Sequence, residues 1–386
     1  MQAQRLLGSL YEKGTTERKG GDTMSPLNND YGTAIILQGG GALGAYELGA
    51  LKALYEMRPG FEPSIVTGIS IGAITTAVLA GAKGDPIQAL DRLWREKLTV
   101  LPLPPFFPAT YRQFVSAFVP DELEKNLAIW GNPGMYRPRL DYSYAPWRRT
   151  SIYDLEPLRE TLTEMVDLEK LNNGPIRVAV GATNVGTSEI KYFDNDKMRL
   201  SFENVMASGS LPPGFPMTEI DGECYWDGGL FENTPLSPAL NRLEELDKEK
   251  RELVVVELFP RQSPIPDDMA DVINRMLQLQ YTNRLKLDGK FFEKFNNFIE
   301  LVEQIDNTLE EDHPVRQSEG YKELHKYKRI DAASVIRAHL PPELANASDF
   351  SKASIEGRIE AGYRDAIEQK IEEYTPAEEE MAKLTS

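Results

Sequence analysis

The sequence of 386 residues predicts an α/β protein with a mostly parallel central sheet, flanked by helices and followed by helical C-terminal additions. Two strand–turn–helix units follow one another between residues 34 and 82, which is the pattern of a parallel sheet with helices on its faces. Apolar residues form 41% of the chain and charged residues 27%, so it can bury a substantial core. The last third has mostly helical periodicity.

The first unit runs from strand Ala34–Leu37 to helix Ala45–Tyr55, and the second from strand Ser64–Gly68 to helix Ile71–Ala82. Residues from about 98 to 150 are rich in Pro, aromatic residues and Arg and predict an irregular excursion. Further sheet segments are predicted at Ile176–Ala182, Glu189–Phe193, Cys224–Asp227, Leu253–Phe259 and Ala332–Ala338. Helices are predicted at Asp267–Leu287, Lys290–Asn307 and Ser351–Tyr374. Since the last two sheet segments flank the first two of these helices, we expect one domain with an embedded helical insert.

Three parts are expected: a flexible leader over 1–30, an α/β core over 31–263, and a mostly helical extension over 264–386 packed on that core. The first thirty residues lack the apolar centre and cleavage site of a secretory signal. No stretch approaches the roughly 18 uninterrupted apolar residues that a membrane span needs. We therefore expect a cytoplasmic protein.

Composition excludes several classes of function. The formal charge is −17, which disfavours nucleic-acid binding because that binding needs clustered cations. The single cysteine, Cys224, excludes an intramolecular disulfide and a cysteine-built zinc site. The three histidines, His313, His325 and His339, lie in the last quarter of the chain, which limits the catalytic arrangements available.

The segment Gly68-Ile69-Ser70-Ile71-Gly72 lies between an apolar strand and a helix of small residues. A nucleophile elbow requires this context, because it presents a serine on a sharp strand-to-helix turn and points the helix N-terminus at the developing negative charge. The alternative is an ordinary glycine-rich turn with a helix-capping serine. The flanking elements favour Ser70 as a nucleophile.

Another glycine-rich turn, Gly39-Gly40-Gly41-Ala42-Leu43-Gly44, directly follows the first strand. Consecutive glycines expose backbone N–H groups that bind an anion. The spacing also matches a dinucleotide fingerprint, but the second strand does not end in the acidic residue that would hold a ribose. An oxyanion hole facing Ser70 is therefore the better interpretation, and no cofactor or metal is expected.

A serine nucleophile needs a base. His339 follows a predicted strand and is the histidine placed as a Ser-Asp-His triad would require, whereas His313 and His325 lie in charged surface segments. Asp227, before Gly228 and Gly229, ends a short apolar strand on a sharply turned loop and is the stronger candidate. An Asp-Gly-Gly sequence is also common in simple turns.

The three motifs GGGALG, GISIG and DGG, in this order, resemble those of the patatin-like phospholipase family. Their surroundings also fit, and the resemblance covers about Ala34 to Pro235, with a C-terminal part similar to that of a bacterial subgroup. It implies a patatin-like three-layer α/β/α fold over residues 31–263. Two departures are noted: isoleucine fills both variable elbow positions, and Asn233-Thr234 replaces the paired asparagines of many relatives.

The resemblance implies a Ser-Asp dyad of Ser70 and Asp227 that works without histidine or metal. It places the oxyanion hole at Gly39, Gly40, Gly41 and Ile71. Supporting positions are Gly44, Gly68, Gly72, Gly228, Gly229 and Asn233. The expected activity is that of a serine lipid acyl hydrolase, of the phospholipase A or lysophospholipase type, acting through an acyl-enzyme.

Alternatives are a carboxylesterase or thioesterase for small acyl groups, and a non-catalytic lipid- or protein-binding module. The expected partner is a phospholipid or another acyl ester, with a peripheral membrane contact as a further candidate. The apolar stretch Leu101–Pro108 is a candidate for an acyl-chain entrance, for a contact with a lipid surface, or for a loop packed over a face of the sheet. A set of arginines among aromatic residues is a candidate for binding lipid phosphate or for pairing with surface acids: Arg137, Arg139, Arg148 and Arg149, beside Tyr142, Tyr144 and Trp147. The sequence does not specify an oligomeric state.

Overall fold

A computed structural model describes residues 31–101, 127–139, 150–260, 265–266, 269–282 and 289–368. Its strands are β1 Tyr31–Leu37, β2 Ile65–Ile69, β3 Arg137–Pro138, β4 Tyr153–Asp154, β5 Arg177–Asn184, β6 Ile190–Asp194, β7 Thr218–Ile220, β8 Glu223–Asp227, β9 Lys250–Glu257 and β10 Ala332–Arg337. Its α-helices are α1 Ala45–Met57, α2 Ile71–Gly81, α3 Pro86–Arg92, α4 Glu156–Met165, α5 Leu168–Asn173, α6 Phe202–Ser208, α7 Leu236–Glu245, α8 Met269–Tyr281, α9 Gly289–Thr308, α10 Glu319–Leu324 and α11 Lys352–Glu368. Within these residues, no helix has both the length and the apolar character needed to cross a bilayer.

The central sheet has eight strands, and its longest run of neighbours is parallel. Strands β10, β9, β1, β2 and β5 pair in that order, all parallel, whereas β6 and β8 pair antiparallel with β5, and β7 with β8. Helices connect the parallel strands because such strands need a crossover rather than a tight turn. The predicted mostly parallel α/β fold is confirmed.

Helices cover both faces of the sheet, as the alternation of side chains along β1 shows. Ile35 and Leu37 point into the larger core, where α1, α2 and α11 pack. Ala34 and Ile36 point into the smaller core against Leu236, Ala239 and Leu243 of α7. Successive side chains of a strand face opposite sides of a sheet, so an uninterrupted apolar strand requires a layer of helices on each face. This arrangement is the expected three-layer α/β/α architecture.

The register of β5 explains how distant segments meet at one edge. Gly181 pairs with Ile69 of β2 on one side and Tyr192 of β6 on the other. The next residue, Ala182, pairs with Lys191 of β6 and with Asp227 of β8. Because a strand has only two edges, β2 and β8 lie on the same edge of β5, and their last residues meet end to end.

Every strand predicted from the sequence is present, with ends shifted by up to three residues. The two helices of the embedded insert are α8 and α9, and the helix predicted over Ser351–Tyr374 is α11, described to Glu368. The sequence interpretation missed several short elements: α3, α4, α5, α6, α7, α10, β3, β4 and β7.

The domain boundary at residue 263 stays a prediction, although β10 beyond it belongs to the central sheet. The leader 1–30, residues 102–108 of the proline-rich stretch, Tyr142, Tyr144, Trp147, Arg148 and Arg149 lie outside the described residues.

Candidate active site

Ser70 is the single residue between β2 and α2, and its backbone has the strained geometry of an elbow. Its φ is 55° and its ψ −121°, a region that non-glycine residues rarely occupy. The flanking glycines are required by space: a Cβ at Gly68 would lie 2.2 Å from the Gly72 oxygen, and one at Gly72 would lie 2.4 Å from the Leu37 oxygen. The backbones around the turn therefore approach so closely that only glycine fits at positions 68 and 72.

The last residue of α6 and the segment that follows it hold both candidate residues by their backbone. The Ser70 N–H donates to Ser208 Oγ at 2.9 Å, and the Asp227 N–H donates to the Ser210 oxygen at 3.0 Å. Sequence reasoning did not single out these serines, although they lie in the segment MASGSLPPGFP that supported the family resemblance. Their role is to fix the elbow and the end of β8 relative to each other.

Asp227 ends β8 and is buried, with 2% of its surface exposed. Burial raises the pKa of its carboxyl to about 7, while hydrogen bonds from the Ser70 hydroxyl and the Gly229 N–H act in the opposite direction. The Gly229 N–H lies 2.7 Å from Asp227 Oδ1. No cation among the described residues pairs with this carboxylate. Such a group exchanges a proton near neutral pH.

The glycine loop faces Ser70, as the sequence predicted. A Cβ at Gly39 would lie 2.9 Å from Ser70 Cβ, so only glycine lets the loop approach the serine this closely. Within the described residues, no acceptor takes a hydrogen bond from the N–H of Gly40, Gly41 or Ile71. Three backbone donors at one sheet edge can hold a negatively charged oxygen.

The other predicted supporting residues hold the loops together. Asn233 Nδ2 donates to the Gly39 oxygen at 3.0 Å and to the Tyr281 oxygen at 3.1 Å, linking the glycine loop to α8. Gly44 makes room for Ile71 and Trp94, because a Cβ there would lie 2.6 Å from Ile71 Cγ1. A Cβ at Gly228 would lie 2.4 Å from the Gly181 oxygen. These contacts are structural and bring the three motifs into one compact site.

Ser70 and Asp227 line a cavity of about 250 Å³, together with Gly39, Gly40, Gly41 and Asn233. Most of the remaining wall is apolar or aromatic: Ala128, Ile129, Met135, Tyr136, Tyr153, Leu211, Phe215, Phe259, Leu277, Tyr281, Ala347 and Phe350. The ring of Tyr136 lies at the centre of this wall, 4.8 Å from the ring of Tyr153 and 5.1 Å from that of Phe215. An apolar cavity with a few convergent polar groups is typical of a small-molecule site.

The structure does not bring the histidines to Ser70. His339 is 61% exposed, and its Nδ1 lies 3.6 Å from Asp365 Oδ2, away from the residues that line the cavity. Neither His313 nor His325 lines it. The described geometry therefore offers Ser70 a carboxylate and no imidazole.

The arginines proposed to bind phosphate are described only in part. Arg137 pairs with Asp154 at 3.0 Å on the exposed surface, and Arg139 donates its N–H to the Ile152 oxygen. Neither lines the cavity. For Arg137 the simpler of the two sequence interpretations, pairing with a surface acid, describes what is seen.

Comparison with known proteins was made on the sequence and on the fold. Among solved structures, the chain is similar to VipD from Legionella pneumophila, with 17% identity and a TM-score of 0.39 over 93% of this chain and 72% of VipD. It is also similar to the heterodimeric ExoU–SpcU complex of the type III secretion system of Pseudomonas aeruginosa, with 17% identity and a TM-score of 0.29. That similarity covers 70% of this chain and 59% of the other, so the chain spans less than two thirds of it. No curated protein matches the chain.

The sequence profile of patatin-like phospholipases matches residues 35–240. This range contains the glycine loop, the elbow, Asp227 and Asn233, and it covers more than half of the chain. The resemblance predicted from the three motifs is therefore confirmed. The chain belongs to the patatin-like phospholipase family.

Proposed function

We propose that this protein is a serine lipid acyl hydrolase of the phospholipase A or lysophospholipase type, with Ser70 as nucleophile and Asp227 as base. The observation that carries this proposal is the position of both residues in the wall of one apolar cavity, together with Gly40 and Gly41, whose N–H groups have no acceptor among the described residues. Family membership supports a lipid substrate.

The reaction begins with Asp227 in its ionised form. The carboxylate accepts the proton of the Ser70 hydroxyl as Oγ attacks the ester carbonyl, and the carbonyl oxygen becomes an oxyanion. The protonated Asp227 returns this proton to the leaving alcohol, and an acyl group remains on Ser70. Asp227 then accepts a proton from the water that attacks the acyl-enzyme, and returns it to Ser70 Oγ as the fatty acid leaves.

A carboxylate is a weaker base than an imidazole, so this chemistry depends on two features of the site. Burial places the pKa of Asp227 at about 7, where a base is most effective near neutral pH. The N–H groups of Gly40, Gly41 and Ile71 are fixed before reaction and stabilise the oxyanion. A single donor of this kind contributes roughly 10²–10³ to the rate.

A serine-reactive fluorophosphonate provides the first test, with the labelled peptide mapped by mass spectrometry. We expect modification at Ser70 and its loss in Ser70→Ala. Ser188→Ala is the matched control, since Ser188 also has a positive φ of 60° but is exposed and outside the cavity. Folded wild-type protein that is not modified at Ser70 contradicts the proposal and favours a binding module.

The base is tested by Asp227→Asn, which keeps the shape of the side chain but removes its ability to accept a proton. We expect ester turnover to fall by about 10²–10⁴. Asp221→Asn is the control, because Asp221 lies in the exposed turn at the other end of β8. His339→Ala should retain full turnover. Near-wild-type turnover in Asp227→Asn excludes the dyad, and loss of turnover in His339→Ala would restore the triad.

A carboxylesterase or thioesterase for small acyl groups is the second candidate, because the cavity encloses only about 250 Å³ and the dyad needs only an acyl carbonyl. Nitrophenyl esters of increasing chain length, compared with phospholipid vesicles, distinguish the two. The lipid proposal predicts that kcat/KM rises with chain length and that vesicles release fatty acid. A preference for acetate and no release from vesicles supports the esterase.

We also propose that the enzyme is cytoplasmic and makes a peripheral contact with the lipid surface. Ile129 lines the cavity and is 59% exposed, while Trp130 beside it is 80% exposed. Met276, which precedes the lining residue Leu277, is 57% exposed. We call these three residues the apolar rim, and they place exposed apolar surface beside the cavity.

Flotation with zwitterionic phosphatidylcholine vesicles tests this contact. We expect the double variant Trp130→Ser/Met276→Ser to float less than the wild type while hydrolysing a soluble ester normally. The control Leu301→Ser/Ile305→Ser removes similarly exposed residues from α9, at 54% and 44% exposure. Equal flotation of the rim variant and the wild type argues against the rim as a lipid contact.

A further inference from the structure

The wall of the cavity includes a segment from the C-terminal part of the chain, far in sequence from the three motifs. Ala347, Ser348 and Phe350 line the cavity, and they lie between β10 and α11. We call residues 344–351 the closing segment. The match to the family profile ends at residue 240, so neither that match nor the three motifs include this part of the cavity wall.

The closing segment lies directly on the glycine loop. The Ala42 N–H donates to the Ala347 oxygen at 2.8 Å, which fixes the peptide between Gly41 and Ala42. Gly41 has a φ of +55°, and a Cβ there would lie 2.5 Å from the Ala347 oxygen. The orientation of Gly41, one of the proposed oxyanion donors, therefore depends on where the closing segment is held.

Arg358 of α11 connects the closing segment to the glycine loop. Its side chain is fully buried, yet the guanidinium pairs with backbone carbonyls rather than with a carboxylate: Leu344 at 2.8 Å, Asn346 at 2.8 Å, Asp349 at 2.6 Å and Ala42 at 3.3 Å. Three of these acceptors belong to the closing segment and the fourth to the glycine loop. A buried charge is costly unless its donors are satisfied, so this network specifies one arrangement of both loops.

The far end of the closing segment is also fixed. The buried Asp349 accepts hydrogen bonds from Ser354 Oγ at 2.5 Å and from the Ser351 N–H at 2.9 Å. The Val100 N–H donates to the Phe350 oxygen at 2.9 Å. These contacts connect the segment to α11 and to the chain after α3.

Helix α11 packs closely against α1, the helix that begins where the glycine loop ends. A Cβ at Gly49 would lie 2.0 Å from the Ile359 oxygen, and one at Gly362 would lie 2.0 Å from the Tyr46 oxygen. The two backbones are thus in direct contact in the turn of α11 that follows Arg358. A guanidinium on so rigid a helix can act as a fixed reference for the loops around it.

We propose that Arg358 is a positioning residue for the reaction: it locks the closing segment onto the glycine loop and so keeps the Gly40 and Gly41 N–H groups directed at the oxyanion. This inference rests on the proposed function, because it assigns a cause to the geometry of the same oxyanion hole. The planar, five-donor guanidinium suits several carbonyls at once, whereas a lysine ammonium cannot match this geometry.

Steady-state kinetics of Arg358→Lys and Arg358→Met on a soluble nitrophenyl ester test the proposal. We expect kcat to fall by about 10–100-fold in Arg358→Met and by less in Arg358→Lys, since oxyanion donors act mainly in the transition state. KM should change by less than about threefold, because the cavity wall still binds the acyl group. The rate of fluorophosphonate inactivation should fall in parallel, because the phosphonyl oxygen occupies the same position.

The matched controls are Arg364→Lys and Arg364→Met on the same helix, where the arginine is 47% exposed and lies beside Asp365. They should leave kcat and KM unchanged. The pH midpoint of turnover should also stay the same in every variant, because none of these changes alters Asp227.

Thermal unfolding checks that each variant is folded. If Arg358→Met does not fold, Ser354→Ala provides the second test, because it removes one hydrogen bond to Asp349 and loosens the closing segment while Arg358 keeps all of its carbonyl partners. For that variant we expect a fall of about two- to fivefold in kcat. A folded Arg358→Met or Ser354→Ala protein with wild-type kcat overturns the inference, as does a loss that comes entirely from KM. A wild-type protein that is not labelled at Ser70 overturns the proposed function instead.

Discussion

The two ends of the central sheet each have a cavity with a buried carboxylate in its wall, but only one of these two carboxylates, Glu252, pairs with a cation among the described residues. At the carboxyl ends of the strands, Asp227 lines a mostly apolar cavity of about 250 Å³ and has no cationic partner among the described residues. At the amino ends, Glu252 lines a cavity of about 300 Å³ whose wall includes Arg58, Thr33 and Lys248.

Glu252 is fully satisfied by its neighbours. Arg58 makes two parallel hydrogen bonds to it, both at 2.9 Å, and Thr33 Oγ1 donates to it at 2.8 Å. A bidentate arginine–carboxylate pair of this kind is a structural interaction. Asp227 receives hydrogen bonds only from neutral groups, so burial raises its pKa toward neutrality. The comparison indicates that the presence or absence of a cation separates a structural carboxylate from one suited to proton transfer.

The largest expected effect comes from breaking the Arg58–Glu252 ion pair at the amino ends of the strands. Arg58→Met leaves Glu252 buried without its cation, and we expect the free energy of unfolding in urea to fall by about 3–5 kcal/mol. The kcat of the protein that remains folded should not change, because this end of the sheet takes no part in the reaction. Arg177→Met is the control, since its ion pair with Asp196 is exposed and should contribute under about 1 kcal/mol.

A double variant, Arg58→Met/Glu252→Gln, distinguishes an unpaired charge from lost packing. Removing both charges should recover part of the stability that Arg58→Met loses. A double variant no more stable than the single one would show that the arginine acts through packing.

The next effect concerns the end of the sheet that holds Asp227. In the proposed mechanism Asp227 must be ionised to accept a proton, and since its pKa is about 7, kcat/KM should rise with pH through a midpoint near 7. Between pH 5 and pH 8 the expected increase is about 100-fold. Tyr281 faces the same carboxylate, but burial and the Asp227 charge raise its pKa to about 12, so it does not titrate in this range. A midpoint near 4, measured with a soluble ester, would mean that Asp227 is an ordinary carboxylate or not the base.

How much of this site the sequence predicts depends on the kind of interaction. Glycines forced by close backbone contact and a serine between a strand and a helix leave a local pattern, so the sequence singles out Ser70, the glycine loop and Asp227, which all line one cavity in the structure. Ser208 and Arg358 act through backbone N–H and C=O groups, which every residue has, so their partners leave no pattern in the sequence.

The sequence also could not predict that β2 and β8 lie on the same edge of β5. It depends on the pairing of Ala182 with Asp227, which is a matter of register rather than of residue type. The short helices α4 to α7 were missed for a related reason: several begin with the proline or polar residues that also mark turns.

The last prediction tests the same comparison through the pH dependence of stability. The folded protein keeps the Asp227 proton up to pH of about 7, whereas the unfolded chain releases it near the ordinary value of 3.8. Between these values the folded state binds more protons, so the contribution of Asp227 to stability is fully present below pH 3.8 and is lost as pH rises through 7. Asn cannot ionise, and Asp227→Asn should therefore match the wild type near pH 4 and exceed it by up to about 4 kcal/mol at pH 8. Urea unfolding at both pH values measures the difference.

The buried Glu47, whose pKa burial raises to about 8, titrates in both proteins and so cancels from that difference. Asp194→Asn gives the opposite sign, because Asp194 pairs with Arg242 at 2.5 Å in a buried ion pair, as Glu252 does with Arg58. Neutralising it should lower stability at both pH values. If Asp227→Asn also lowers stability at pH 8, the carboxylate is held by interactions as favourable as those at the amino ends, and the proposed contrast between the two ends of the sheet is wrong.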